Sequence, residues 1–273
     1  MFEMIVNEDC QETMKRLQPN SIDLVLTSPP YNTGRPSTSE RSRGNHEGRY
    51  DVHMDTKTPE EFIDWCIDLF AEFDRVLVQD GVVLWNMSYA NDGTVNTKNN
   101  GLLWLLVAEL IKESNFTVAD RIIWKKRSGA LPNNSSKNKL TRVCEDVFVF
   151  CRKSEYKTFN TNKQVTKVGV TGQQFYSPLY NFLEAKNNDE VCPLNKATYS
   201  SELCEKLLEM YVPSAERESR VVYDPFMGTG TTAIACKKLG IGYLGSEISQ
   251  AQCEWAERRI KECTSAFTVE NGQ

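Results

Sequence analysis

Short apolar runs alternate with longer amphipathic ones along this chain, the pattern of strands and helices interleaved in an α/β sheet. Phe2–Val6 reads as a strand, Cys10–Leu17 as a helix stopped by Pro19-Asn20, and Ser21–Leu26 as a second strand. That strand runs into Ser28-Pro29-Pro30-Tyr31, where two prolines must end it because neither can donate to a ladder. Residues 32–58 carry Gly, Ser, Thr and Arg without period, which predicts a mobile, functional loop. Pro59 opens a helix whose apolar face is Phe62, Trp65, Ile67, Leu69, Phe70 and Phe73, with Thr58 as its N-cap. Strand Gly81–Trp85, helix Leu102–Ile111 and strands Phe116–Trp124 and Asp146–Phe150 follow. Periodicity lapses over residues 154–197, rich in Asn, Lys, Thr and Gly, and predicts an inserted region rather than further sheet. It returns with helix Ser201–Tyr211, strand Val221–Tyr223, helix Thr231–Leu239, strand Tyr243–Gly245 and helix Gln250–Cys263.

At 273 residues, 40% apolar and 25% charged, the chain can bury a core without disulfides or metals. No apolar run approaches the roughly 18 residues of a membrane span, and the N-terminus lacks the basic flank and apolar stretch of a secretory signal. Nine cysteines, an odd number never spaced C-x-x-C, predict unpaired thiols in a reducing, cytoplasmic setting and argue against zinc. The two histidines, His46 and His53, both fall in the polar loop, so chemistry built on a histidine base or a histidine-bound metal is disfavoured. Net charge is −5, yet Arg121 to Lys167 holds twelve Lys or Arg against Glu145, Asp146 and Glu155, a local +9. Such asymmetry is expected of a polyanion-binding face, with Lys125, Lys126, Arg127, Lys137, Lys139 and Arg142 as candidate phosphate contacts. A merely solvated basic surface is the alternative.

Strand Val221–Tyr223 delivers Asp224-Pro225-Phe226-Met227-Gly228-Thr229-Gly230-Thr231-Thr232-Ala233, a strand, a glycine turn and a helix start. Gly228 and Gly230 permit a close ligand approach. Gly228-x-Gly230-x-x-Ala233 fits a dinucleotide-type fingerprint, and Glu247, nineteen residues beyond Gly228, closes the following strand where a carboxylate can bind ribose hydroxyls. A doubly wound sheet needs more strands than remain after Glu247, so the missing ones must come from the N-terminal part. The sheet is then circularly permuted, with Phe2–Val6 beside the strand ending at Glu247. The glycine turn and the proline tetrad would face one pocket at the carboxyl ends of the strands.

Ser28-Pro29-Pro30-Tyr31 combined in this order with the glycine turn resembles the S-adenosylmethionine-dependent DNA amino-methyltransferases in their permuted arrangement, over nearly the whole chain. The resemblance implies a Rossmann-like α/β methyltransferase sheet. Residues 1–153 would form its catalytic half, 154–197 a variable target-recognition insertion and 198–273 the cofactor-binding half. It implies S-adenosylmethionine held by Asp224, Phe226, Gly228, Gly230, Thr231 and Glu247, with Asp9 and Cys10 near the adenine and Thr198 beside the methionine moiety. At Asn195-Lys196 the sequence departs from the family's His-Pro. Ser28 and Pro29 would accept hydrogen bonds from the target amine, Pro30 would rigidify the corner and Tyr31 would stack on a flipped base. Serine in the first tetrad position favours cytosine N4 over adenine N6, although either oxygen type can accept an N–H. Duplex DNA is the implied partner, with a homodimer and a cognate restriction endonuclease left open and no membrane involved. A nicotinamide-dependent dehydrogenase would leave the tetrad without a role. A non-enzymatic DNA-binding module would leave both motifs idle.

Overall fold

Residues 2–32, 52, 56–88, 101–127, 137, 140–190, 192–195 and 197–270 are described by the structure, a computed structural model. The chain runs β1 (Glu3–Asn7), α1 (Cys10–Arg16), β2 (Ile22–Thr27), α2 (Pro59–Val76), β3 (Leu77–Met87), α3 (Leu102–Glu113), β4 (Phe116–Lys126) and β5 (Cys144–Arg152). It continues with β6 (Val165–Val168), β7 (Gln174–Tyr176), β8 (Phe182–Ala185), α4 (Ser201–Tyr211), β9 (Val221–Asp224), α5 (Thr231–Leu239), β10 (Gly242–Glu247) and α6 (Gln250–Glu270). Eight strands join one sheet in the order β1-β10-β9-β2-β3-β5-β4-β8, while β6 and β7 pair as a separate hairpin. The elements match the sequence reading closely, and α4 and α5 have the expected limits. Most of the expected loop at 32–58, with His46 and His53, lies outside the described residues.

Permutation is visible in the register. β1 lies parallel to β10 with Asn7 opposite Glu247, and β2 lies parallel to β9 with Leu24 opposite Val222. Two motifs almost two hundred residues apart in sequence therefore end on adjacent strands, β2 and β9. Strand side chains alternate between the faces. Val25, Val83, Trp85 and Phe150 pack with Met14, Phe62, Phe70 and Leu106 of α1, α2 and α3. Their neighbours Leu24, Leu84 and Val149 pack on the other face with Leu203 and Leu207 of α4 and Ala233 of α5. Covering both faces makes the central strands near-continuous apolar runs, as a parallel sheet requires.

Thr58 caps α2 as expected: its hydroxyl accepts from Glu61 N–H (3.2 Å), and the Glu61 carboxylate accepts from Thr58 N–H (2.8 Å). The far end of α2 is tied to β5 by Arg152, which donates to Asp74 and Leu77 carbonyls at 2.7 and 2.8 Å and to the Asp74 carboxylate at 2.6 Å. One expectation is corrected. The sequence predicts no further sheet over residues 154–197, yet β8 adds an eighth strand beside β4, with Trp124 opposite Leu183. At four residues on the sheet edge, half exposed, β8 is too short to imprint a period on the sequence. All nine cysteines are free thiols. No helix among the described residues is long and apolar enough to cross a membrane.

Candidate active site

At the carboxyl ends of β2 and β9 the two motifs are joined by one buried hydrogen bond: the Thr27 hydroxyl donates to Asp224 Oδ1 at 2.7 Å. The same oxygen accepts from Phe226 N–H (3.0 Å), while Oδ2 accepts from the hydroxyls of Thr232 (2.6 Å) and Tyr199 (3.2 Å). Asp224 is only 1% exposed, and burial raises its carboxyl above the usual range against the opposing pull of these bonds. It fixes the turn; it does not line the cavity beyond it. Gly228 adopts φ +54°, and a Cβ there would lie 3.1 Å from Asn195 Nδ2. Its N–H donates to Glu247 Oε2 at 2.8 Å, while Glu247 Oε1 accepts from Ser249 N–H at 2.9 Å. Gly230 serves a different purpose from the ligand approach expected of it: a Cβ would come within 2.7 Å of Ala256 Cβ, so this glycine lets α6 close on the turn.

Beneath the turn lies a cavity of about 270 Å³. Among the expected residues, Asp9, Cys10, Ser28, Pro30, Thr198, Phe226, Gly228, Thr231 and Glu247 line it. Pro29, Tyr31, Asp224 and Gly230 do not. Asp9 also caps α1, accepting from Gln11 N–H at 2.8 Å. Burial pushes the Cys10 thiol far up, so it lines the wall as a neutral group. Sequence reasoning missed Trp65, whose place in an apolar helical stripe resembles core. Its ring instead meets Phe226 at 5.4 Å between centroids and forms a cavity wall with it. Asn195 and Gln252 were missed too; they bond each other at 3.0 Å beside Gly228. Only the departure from the family motif at Asn195 hinted at them.

Tyr31 is drawn inward by its hydroxyl. The ring expected to stack on a base is 6% exposed and belongs to the core. Its hydroxyl receives the Ser28 hydroxyl (3.1 Å) and faces Asn86 Oδ1 (2.9 Å) and Glu145 Oε2 (3.2 Å). Those polar partners hold the phenol inward.

The basic segment is corrected in part. Lys126 forms a sheltered pair with Glu145 at 2.6 Å, and Arg142, 8% exposed, donates to the Ser88 hydroxyl at 3.0 Å. Both are engaged inside the protein, so neither is assigned a phosphate. Lys125 and Arg127 pair with Glu184 (2.6 Å) and Glu202 (2.8 Å) in open positions where a phosphate can compete. Lys137 is exposed, and Lys139 lies outside the described residues. Arg152, counted in the same +9, is a fold-holding residue.

A permuted, doubly wound sheet that brings a glycine turn, the Glu247 carboxylate and a proline tetrad to one end defines a Rossmann-like methyltransferase fold. The DNA methylase family model for N6 and N4 amino-methyltransferases matches residues 22–258, and the chain belongs to that family. Type II methyltransferase M.BglII of Bacillus subtilis is 25% identical over 263 residues, covering 90% of this chain, which spans 65% of M.BglII. Among solved structures, the PvuII cytosine-N4-specific DNA methyltransferase superposes with a TM-score of 0.64 at 18% identity, over 95% of this chain and 90% of that one. The M1.HpyAVI–SAM complex gives 0.57 at 19%, over 95% and 100%.

Proposed function

We propose that this chain transfers a methyl group from S-adenosylmethionine to the exocyclic N4 amine of cytosine in duplex DNA. The observation that carries the reading is the shared cavity wall. Ser28 lies on it, one residue beyond the Thr27 hydroxyl that is bonded to Asp224 of the glycine turn, so an amine acceptor and the turn open onto one space. The wall suits the cofactor chemically. Its positive-φ Gly228 leaves room where a side chain would not fit, Trp65 and Phe226 offer apolar faces to an adenine, and Asp9 and Glu247 offer acceptors to amine and ribose hydroxyls.

When bound, the cofactor would supply an electrophilic sulfonium methyl, which the amine lone pair would take up as a new C–N bond while sulfur kept the S–C electron pair. The chain's task is to make that lone pair available, because in the free base it is delocalised into the ring. Ser28 Oγ and the Pro29 carbonyl would accept the two N–H groups and favour a pyramidal nitrogen, a contribution of positioning and electrostatics. The proton in excess after transfer leaves to water. Because the amine is inaccessible in a stacked duplex, the base must be flipped. Serine at position 28 and the cytosine-N4-specific neighbour favour cytosine, and adenine N6 is the second reading. Labelled methyl transfer to mixed-sequence DNA followed by nucleoside analysis tests both: N4-methylcytosine is expected. N6-methyladenine would replace the target base, and no labelled nucleoside would overturn the activity.

A further inference from the structure

The Ser28 hydroxyl has one proton and two lone pairs, and the proposed chemistry uses a lone pair. If its proton swung toward the cavity, it would confront the amine N–H groups as a donor and repel them. The residues behind Ser28 decide that orientation. Ser28 Oγ donates to the Tyr31 hydroxyl at 3.1 Å, and the Tyr31 hydroxyl has a single proton of its own. Facing it are Asn86 Oδ1 at 2.9 Å and Glu145 Oε2 at 3.2 Å. Both are acceptor atoms. Asn86 is held in this sense because its Nδ2 donates to the Asp146 carbonyl at 3.1 Å, and Glu145 is kept in place by Lys126 at 2.6 Å.

The Tyr31 proton is thereby directed to Asn86 or Glu145 and away from Ser28. We infer that Tyr31, backed by Asn86 and the Glu145–Lys126 pair, is a positioning residue whose hydroxyl fixes the Ser28 hydroxyl as a hydrogen-bond acceptor for the target amine. The inference rests on the proposed amine methyltransferase reading. It assigns β4 and β5 a part in the reaction, since Lys126 ends β4 and Glu145 lies near the start of β5. It also accounts for a sheltered ion pair within the otherwise basic segment.

Tyr31→Phe separates the two roles because it keeps the ring and deletes the hydroxyl. Positioning predicts that kcat for methyl transfer to DNA falls roughly tenfold, the weight of one hydrogen bond between neutral groups, with DNA KM and S-adenosylmethionine affinity unchanged. A role confined to the ring predicts wild-type kinetics, and that result overturns the inference. Glu145→Gln, which can present an N–H to the phenol oxygen and compete with Ser28 for it, should lower kcat in the same selective way. A double-mutant cycle excludes a general structural effect: Ser28→Ala with Tyr31→Phe should be no slower than Ser28→Ala alone, because the phenol acts only through that hydroxyl. Fully multiplicative losses would also overturn the inference. Wild-type protein that methylates no DNA would instead remove the parent reading, whereas active wild type with unimpaired Tyr31→Phe removes only this one.

Discussion

Thr27→Val tests the buried hydrogen bond between the residue before the tetrad and the glycine turn. The substitution is nearly isosteric at a site with no exposure, so it leaves packing in place and removes the hydroxyl that donates to Asp224 at 2.7 Å. A hydrogen bond to a charged group is worth about 1.5–3 kcal/mol. Asp224 Oδ1 keeps its bond from Phe226 N–H, so the carboxylate oxygen is not orphaned and the loss belongs near the lower end, about 1–2 kcal/mol. For a chain of this size that lowers the melting temperature by roughly 2–8 °C, and the protein stays folded at 25 °C. The catalytic consequence should exceed the thermodynamic one. Ser28 follows Thr27 directly, and a displacement near 1 Å between reacting groups can cost on the order of 100-fold in rate. Urea unfolding followed by circular dichroism gives the first quantity, and single-turnover methyl transfer gives the second. Unchanged stability would show that the bond contributes nothing; reduced stability with an unchanged single-turnover rate would show that alignment of the two motifs does not depend on it.

The parts legible in the sequence are those where one local pattern has one physical cause. Two consecutive prolines must end β2, a threonine N-cap before Pro59 must open α2, and a strand followed by alternating glycines must turn tightly before α5. Permutation is legible as well, by strand supply: too few strands follow Glu247, so β1 has to return beside β10. What stays hidden depends on partners far away in sequence. Trp65 occupies a helical stripe shared with Phe62 and Phe70, and only the placement of Phe226 across the fold makes it cavity wall. Tyr31 carries a tetrad motif that implies stacking, yet Asn86 and Glu145 draw its hydroxyl into the core. Charge counting fails for a related reason. Lys126 and Arg152 add to a local sum while their countercharges, Glu145 and Asp74, decide whether they are available to a phosphate. The four-residue β8 is recruited by the edge of β4 and needs no period of its own.

Gly228→Val puts a branched side chain at φ +54° against Asn195, and isothermal titration should show S-adenosylmethionine affinity reduced at least tenfold; equal affinity in folded variant would remove the turn from the cofactor site. Replacing Lys125, Arg127 and Lys137 by Gln should flatten the log–log salt dependence of DNA binding by about 0.9 for each phosphate no longer neutralised, and an unchanged slope would leave these residues as a solvated face. Asp224 gives a pH prediction whose sign follows from its burial. Its folded-state pKa is raised above the ordinary 3.8, chiefly by burial, so the folded protein holds the proton more tightly than the unfolded chain does. The stabilisation associated with that proton is complete below about pH 4 and is lost as pH rises through the folded value. Asp224→Asn cannot ionise and is spared this loss, although its amide nitrogen must face hydroxyl or N–H donors that the second carboxylate oxygen now accepts. The variant should therefore be less stable than wild type throughout, with the gap in unfolding free energy narrowing as the pH rises above about 4 through the raised folded-state value. A gap that widens over that range in matched urea titrations would mean that the four hydrogen bonds outweigh burial and lower the carboxyl's pKa, reversing the assignment.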